Sequence, residues 1–87
     1  MAGALAGKVA LVSGGARGIG RAIATKLAHA GCDVAVNYYN SADEAEGLCA
    51  TLRAEGRKAV AIQGSVGIPD SVDDIVAEFG KHFDRLD

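Results

Sequence analysis

The sequence predicts an α/β fold built on a parallel sheet, and three observations lead there. Short apolar runs alternate with amphipathic stretches in the order β-α-β-α-β-α. The connections between them are short. A glycine-rich turn joins the first run to the first stretch. Strands and helices that alternate in this way argue for parallel strands joined by right-handed crossovers.

Each element has its own signal. Lys8 to Ser13 reads as a short buried strand, with Val9-Ala10-Leu11-Val12 as its apolar part. A helix is expected from Gly18 to about Ala30, where Ile19, Ile23, Leu27 and Ala30 recur at three- and four-residue intervals. Gly31 is placed to end it as a left-handed cap. Asp33 to Tyr38 is the second strand, centred on Val34 and Val36. Ser41-Ala42-Asp43-Glu44 has the spacing of a capping box, and the helix it opens carries Ala45, Leu48, Cys49 and Leu52 on one face. Gly56 stops that helix. Lys58 to Gln63 is the third strand. Pro69 suits a first helical turn, and Val72, Ile75, Val76, Phe79 and Phe83 make the last apolar stripe.

Composition narrows the classes. Of 87 residues, 49% are hydrophobic and 23% charged, the balance of a soluble globular chain. A net charge of −2 leaves no basic patch, so no nucleic-acid partner is expected. The apolar runs fall far short of the roughly 20 residues of a membrane span, and Met1 to Gly7 lacks a signal-peptide core. Cys32 and Cys49 match no zinc or redox spacing and read as small buried hydrophobes of a cytoplasmic protein. His29 and His82 fall on or beside polar helix faces and read as solvated. Asp70, Asp73 and Asp74 suit the positive end of a helix, so no metal site is expected.

The turn Ser13-Gly14-Gly15-Ala16-Arg17-Gly18-Ile19-Gly20 carries the chemistry. Glycines at 14, 18 and 20 give G-x-x-x-G-x-G, not the G-x-G-x-x-G of the general dinucleotide fingerprint. The first N–H groups of a helix lack intrahelical acceptors, and the helix dipole adds partial positive charge there. Without a Cβ, the backbone can approach a pyrophosphate closely. Gly14, Ala16, Gly18, Ile19 and Gly20 are therefore candidates to hold one. The alternative is a tight turn that binds nothing.

The end of the second strand, Asn37-Tyr38-Tyr39-Asn40-Ser41, contains no carboxylate. An acidic residue there would hydrogen-bond ribose hydroxyls and repel a 2′-phosphate. Asp33 lies at the wrong end of the strand, and Asp43 is already inside the helix. Arg17 offers a phosphate a planar fork of donors. Arg17, Asn37, Tyr38, Asn40 and Ser41 thus point to NADP(H) rather than NAD(H). The alternatives are a solvated loop charge for Arg17 and a cover over the sheet edge for Tyr38 and Tyr39.

Lys8-Val9-Ala10-Leu11-Val12-Ser13-Gly14-Gly15-Ala16-Arg17-Gly18-Ile19-Gly20 resembles the opening of the short-chain dehydrogenase/reductases, whose pattern is T-G-x-x-x-G-(I/L)-G. Ser13 replaces the usual threonine and keeps its hydroxyl. The likeness extends through Asp33-Val34-Ala35-Val36-Asn37-Tyr38 to Phe83-Asp84-Arg85-Leu86-Asp87, which is similar to the F-G-x-L-D before the family's fourth strand. It leans to the 3-oxoacyl-(acyl-carrier-protein) reductases and related polyketide and naphthol reductases. The resemblance implies a Rossmann-like fold, of which residues 1–87 would form the N-terminal half. It also implies a basic residue such as Arg17 in the glycine loop of NADP-dependent members. After the third strand the family usually has D-V, its aspartate binding the adenine amino group. Here Ser65 stands at that place beside Val66 and offers a hydroxyl without the charge.

The family's N-N-A-G segment, catalytic serine and Y-x-x-x-K pair would all lie beyond Asp87, so no catalytic residue is assigned. The expected function is the cofactor-binding part of an NADP(H)-dependent oxidoreductase that reduces a carbonyl such as a 3-oxoacyl thioester in fatty acid biosynthesis. Enoyl-thioester reduction stays open, as does a truncated, non-catalytic chain that binds nucleotide or pairs with a full-length subunit. The resemblance also implies a homo-oligomer for an intact enzyme. In the doubly wound order the first strand is central. Taken alone, this chain would leave Lys8–Ser13 as an unprotected apolar edge, and poor folding or self-association is expected.

Overall fold

A computed structural model of the chain describes residues 5–14 and 18–87. Its elements are β1 (Val9–Ser13), α1 (Gly18–His29), β2 (Asp33–Tyr38), α2 (Ala42–Ala54), β3 (Ala59–Gln63) and α3 (Pro69–His82). The three strands form one parallel sheet in the order β1-β2-β3. Val9 lies opposite Asp33, and Ser13 opposite Asn37. Val34 lies opposite Ala59, and Tyr38 opposite Gln63. This is the expected Rossmann-like half, with strand ends within a residue of those read from the sequence.

Alternation along each strand divides the core into two layers. Val12, Val34, Val36 and Ala59 pack with Ala24 and Ala28 of α1 and with Leu48, Cys49 and Leu52 of α2. On the opposite face, Val9, Ala35 and Ile62 pack with Ile75 and Phe79 of α3 and with Phe83 just beyond it. Burial on both faces explains why the strands read as nearly continuous apolar runs. Both cysteines are free and buried, as expected, and burial raises their thiol pKa values.

Helices α1 and α2 end alike. Gly31 N–H donates to the Ala28 carbonyl and Cys32 N–H to that of Leu27; Gly56 N–H donates to Arg53 and Arg57 N–H to Leu52. Each is a Schellman motif with glycine in the left-handed region, at φ 109° for Gly31 and 90° for Gly56.

Four expectations are corrected. Ile19 and Ile23 do not face the core: they are 80% and 46% exposed, and Ala24 and Ala28 take the buried row. Short side chains let the helix backbone lie close to the sheet, whereas a row of isoleucines would hold it off. Val76 is likewise exposed, because Ile75, Phe79 and Phe83, spaced four apart, form the row facing the sheet. Ser41 is the N-cap of α2 but makes no side-chain cap hydrogen bond. Its ψ of 53° lies outside the extended conformation that aims a cap hydroxyl at the first-turn amides. Finally, the β1 edge is not wholly unprotected, since Asp87 covers it at Val9.

Candidate functional site

In open parallel sheets, ligands bind outside the carboxyl ends of the strands. Here three turns meet at that end. The first follows β1. Gly14 and Gly18 have φ of 66° and 59°, a region that L side chains rarely adopt, and a Cβ built on either meets no atom within 4 Å. The backbone at these two residues is thus open to close approach. The expected contacts Ala16 and Arg17 lie outside the described residues. Gly18, Ile19 and Gly20 form the first turn of α1. That turn has no acidic side chain, whereas α2 carries Asp43 and Glu44 and α3 carries Asp70. The positive end of α1 is left for an anion from outside the helix.

The second turn follows β2. Tyr38 is half-buried and packs against the core on the α1 and α2 side. Asn40 is exposed, and Ser41 is half-buried at the start of α2. No carboxylate occupies this rim before Asp43. Asn37 departs from the expectation that it faces a ligand. It is 3% exposed, and its side-chain amide donates to the Ile62 carbonyl at 3.0 Å and to the Gly64 carbonyl at 3.2 Å.

The third turn follows β3. Gly64 N–H donates to the Tyr38 carbonyl at 2.9 Å and continues the sheet by one rung. A Cβ on Gly64 would sit 2.4 Å from Ile75 Cγ1, so glycine here lets α3 close against the strand end. Ser65 N–H donates to Ser71 Oγ at 2.7 Å, which ties the turn to the first turn of α3. The Ser65 hydroxyl accepts Gly67 N–H at 3.3 Å and retains its own O–H as a donor. Val66 is 60% exposed beside it.

Asn37, Gly64 and Ser71 are the site residues whose structural roles sequence reasoning missed. A polar residue at the end of a strand buried on both faces is a usable signal for the first, because such a group must find partners. Nothing local marks the other two.

A cleft of about 450 Å³ opens at the opposite end of the sheet, beside Val9, Asp33, Lys58 and Arg85. Its cations are already engaged. Lys58 Nζ donates to the His82 carbonyl and lies 4.5 Å above the Phe83 ring, and Arg85 holds Asp87. Among the described residues no group of three His, Cys, Asp or Glu could hold a metal ion. No described helix is long and apolar enough to cross a membrane.

Comparison with known proteins agrees with this geometry. The sequence profile described as short chain dehydrogenase matches residues 8–87. The hydroxynaphthalene reductase arp2 of Aspergillus fumigatus is 47% identical over 83 residues, covering 95% of this chain and 30% of that protein. The 3-oxoacyl-(acyl-carrier-protein) reductase FabG of Staphylococcus epidermidis is 44% identical over 80 residues, covering 92% of this chain and 33% of that one. The crystal structure of a short chain dehydrogenase from Burkholderia cenocepacia in complex with NADP superposes with a TM-score of 0.90 at 47% identity, covering 95% of this chain and 34% of that one. The chain spans about a third of the length of these relatives.

Proposed function

We propose, from the premise that this chain belongs to the short chain dehydrogenase family, that it supplies the NADP(H)-binding part of a carbonyl reductase. The observation that carries this reading is the pair of open glycines, Gly14 and Gly18, at an acid-free helix start, next to a strand end without a carboxylate. In this reading Gly14, Ala16, Gly18, Ile19 and Gly20 hold the pyrophosphate through backbone N–H groups. Arg17, Tyr38, Asn40 and Ser41 surround the 2′-phosphate with guanidinium, hydroxyl and amide donors. Ser65 and Val66 face adenine with one hydroxyl and an apolar surface. When bound, the nicotinamide supplies the hydride; these residues orient it. The substrate class is a polyketide-type carbonyl, such as a 3-oxoacyl thioester. The 47% identity to a hydroxynaphthalene reductase favours a second reading, a ketone on a cyclised aromatic polyketide.

The test is calorimetric titration of the chain with NADPH and NADH. NADPH binds more tightly, and Arg17→Glu weakens NADPH by about tenfold or more, the scale of a lost charge-assisted hydrogen bond. Equal losses for both nucleotides remove Arg17 from the 2′-phosphate site.

A further inference from the structure

We infer that Asn37 is a positioning residue that ties the end of β1, from which the glycine turn leaves, to the Gly64–Gly67 turn; its bearing on cofactor affinity rests on the function proposed above. Three features of the site carry it. Asn37 lies one residue before the end of β2, where the backbone rungs of the sheet run out. The last between β2 and β3 is Gly64 N–H to the Tyr38 carbonyl. In register, Ser13 lies opposite Asn37, and Asn37 opposite Ile62. The Asn37 side chain adds cross-links in both directions. Its amide nitrogen spends both hydrogens on the Ile62 and Gly64 carbonyls, and its oxygen accepts the Ser13 hydroxyl at 3.4 Å.

The chemistry requires a carboxamide. Two carbonyls on one side demand an NH₂ group, which fixes the amide orientation, and the hydroxyl of Ser13 then meets the oxygen. Aspartate would oppose two carbonyls with an acceptor, which is costly for buried groups, and leucine would remove both cross-links. With both donors used and 3% exposure, Asn37 has nothing left to donate to a phosphate. Its effect on a ligand passes through the turns. Ser13 precedes Gly14, and Gly64 precedes Ser65, so one side chain sets the spacing between the pyrophosphate and adenine sides of the cleft.

The test pairs amide hydrogen exchange of the ligand-free chain with NADPH titration, for wild type, Asn37→Leu and Asn37→Thr. In Asn37→Leu, exchange at residues 14, 18 and 64–67 speeds up together while Val34–Val36 and the centre of α2 stay protected, and NADPH affinity falls about tenfold. Asn37→Thr keeps one donor and falls between; it also serves if the leucine variant does not fold. Acceleration spread evenly over the core, or turns unchanged in a folded variant, overturns the inference. Because exchange is read without ligand, the brace stands or falls on it even if the wild-type chain binds no NADPH, a result that overturns the proposed function alone.

Discussion

Asp87 holds both backbone groups of Val9. The Val9 N–H donates to Asp87 Oδ2 at 2.9 Å, and the Asp87 N–H donates to the Val9 carbonyl at 2.9 Å. These residues stand 78 positions apart in the chain. The contact covers the first free rung of the β1 edge. Arg85 orients the carboxylate, its Nε donating to the same oxygen at 2.8 Å.

Asp87 makes stability depend on pH. The Arg85 hydrogen bonds, then the Val9 N–H, hold the Asp87 carboxyl below its ordinary value. A carboxyl depressed in the folded state contributes stability that is present above its unfolded pKa, about 4, and is lost as pH falls through the lower folded value. Asp87→Asn therefore lowers the melting temperature above about pH 4, and the gap from wild type closes on further acidification. Thermal melts of both proteins from pH 7 to pH 2 check this.

In the isolated 87-residue chain, the rest of the edge should promote self-association. Because the Val9 backbone faces Asp87, alternation along a parallel strand turns Leu11 and Ser13 toward the same open side. Sedimentation velocity of the 87-residue chain should show mass rising with concentration. Leu11→Pro removes a donor on the open side, where proline is tolerated, and should lower that rise. A monomer at all concentrations refutes the edge as a pairing surface.

Two helix-ending glycines should differ in cost. Gly31 and Gly56 share the left-handed conformation, but only a Cβ on Gly31 collides with backbone, 2.8 Å from Ala6 Cα and N. At Gly56 the Cβ meets nothing within 4 Å. Gly56→Ala should cost about 1 kcal/mol, the conformational penalty alone. Gly31→Ala should cost about 3 kcal/mol, since conformational strain and a backbone clash combine. Urea unfolding of the two variants measures the difference; equal values would show that the Ala6 segment yields freely.

Much of the fold was legible because its signals are local. Gly31 and Gly56 follow apolar-periodic stretches, and Val34 and Val36 mark a strand by composition. The glycine turn was legible for the same reason: residues 13–20 are contiguous. The face of α1 was not, because Ile19/Ile23 and Ala24/Ala28 both satisfy a helical period. Hydrophobicity favours the isoleucines, and only the distance between helix and sheet selects the alanines. The Ser41 hydroxyl cap failed on a single ψ angle that spacing cannot report.

By itself, then, the sequence determined the order of strands and helices, their ends, and the glycine turn with an acid-free helix start and strand end. These follow from backbone preferences and from charges close together in the chain. Only the tertiary structure decided that Asn37 spans three strands, that Gly64 admits Ile75, and that Asp87 meets Val9. Each joins groups 11 to 78 residues apart. Such pairings arise only when the sheet brings distant backbone together, and a buried polar group then takes whatever partner the register presents.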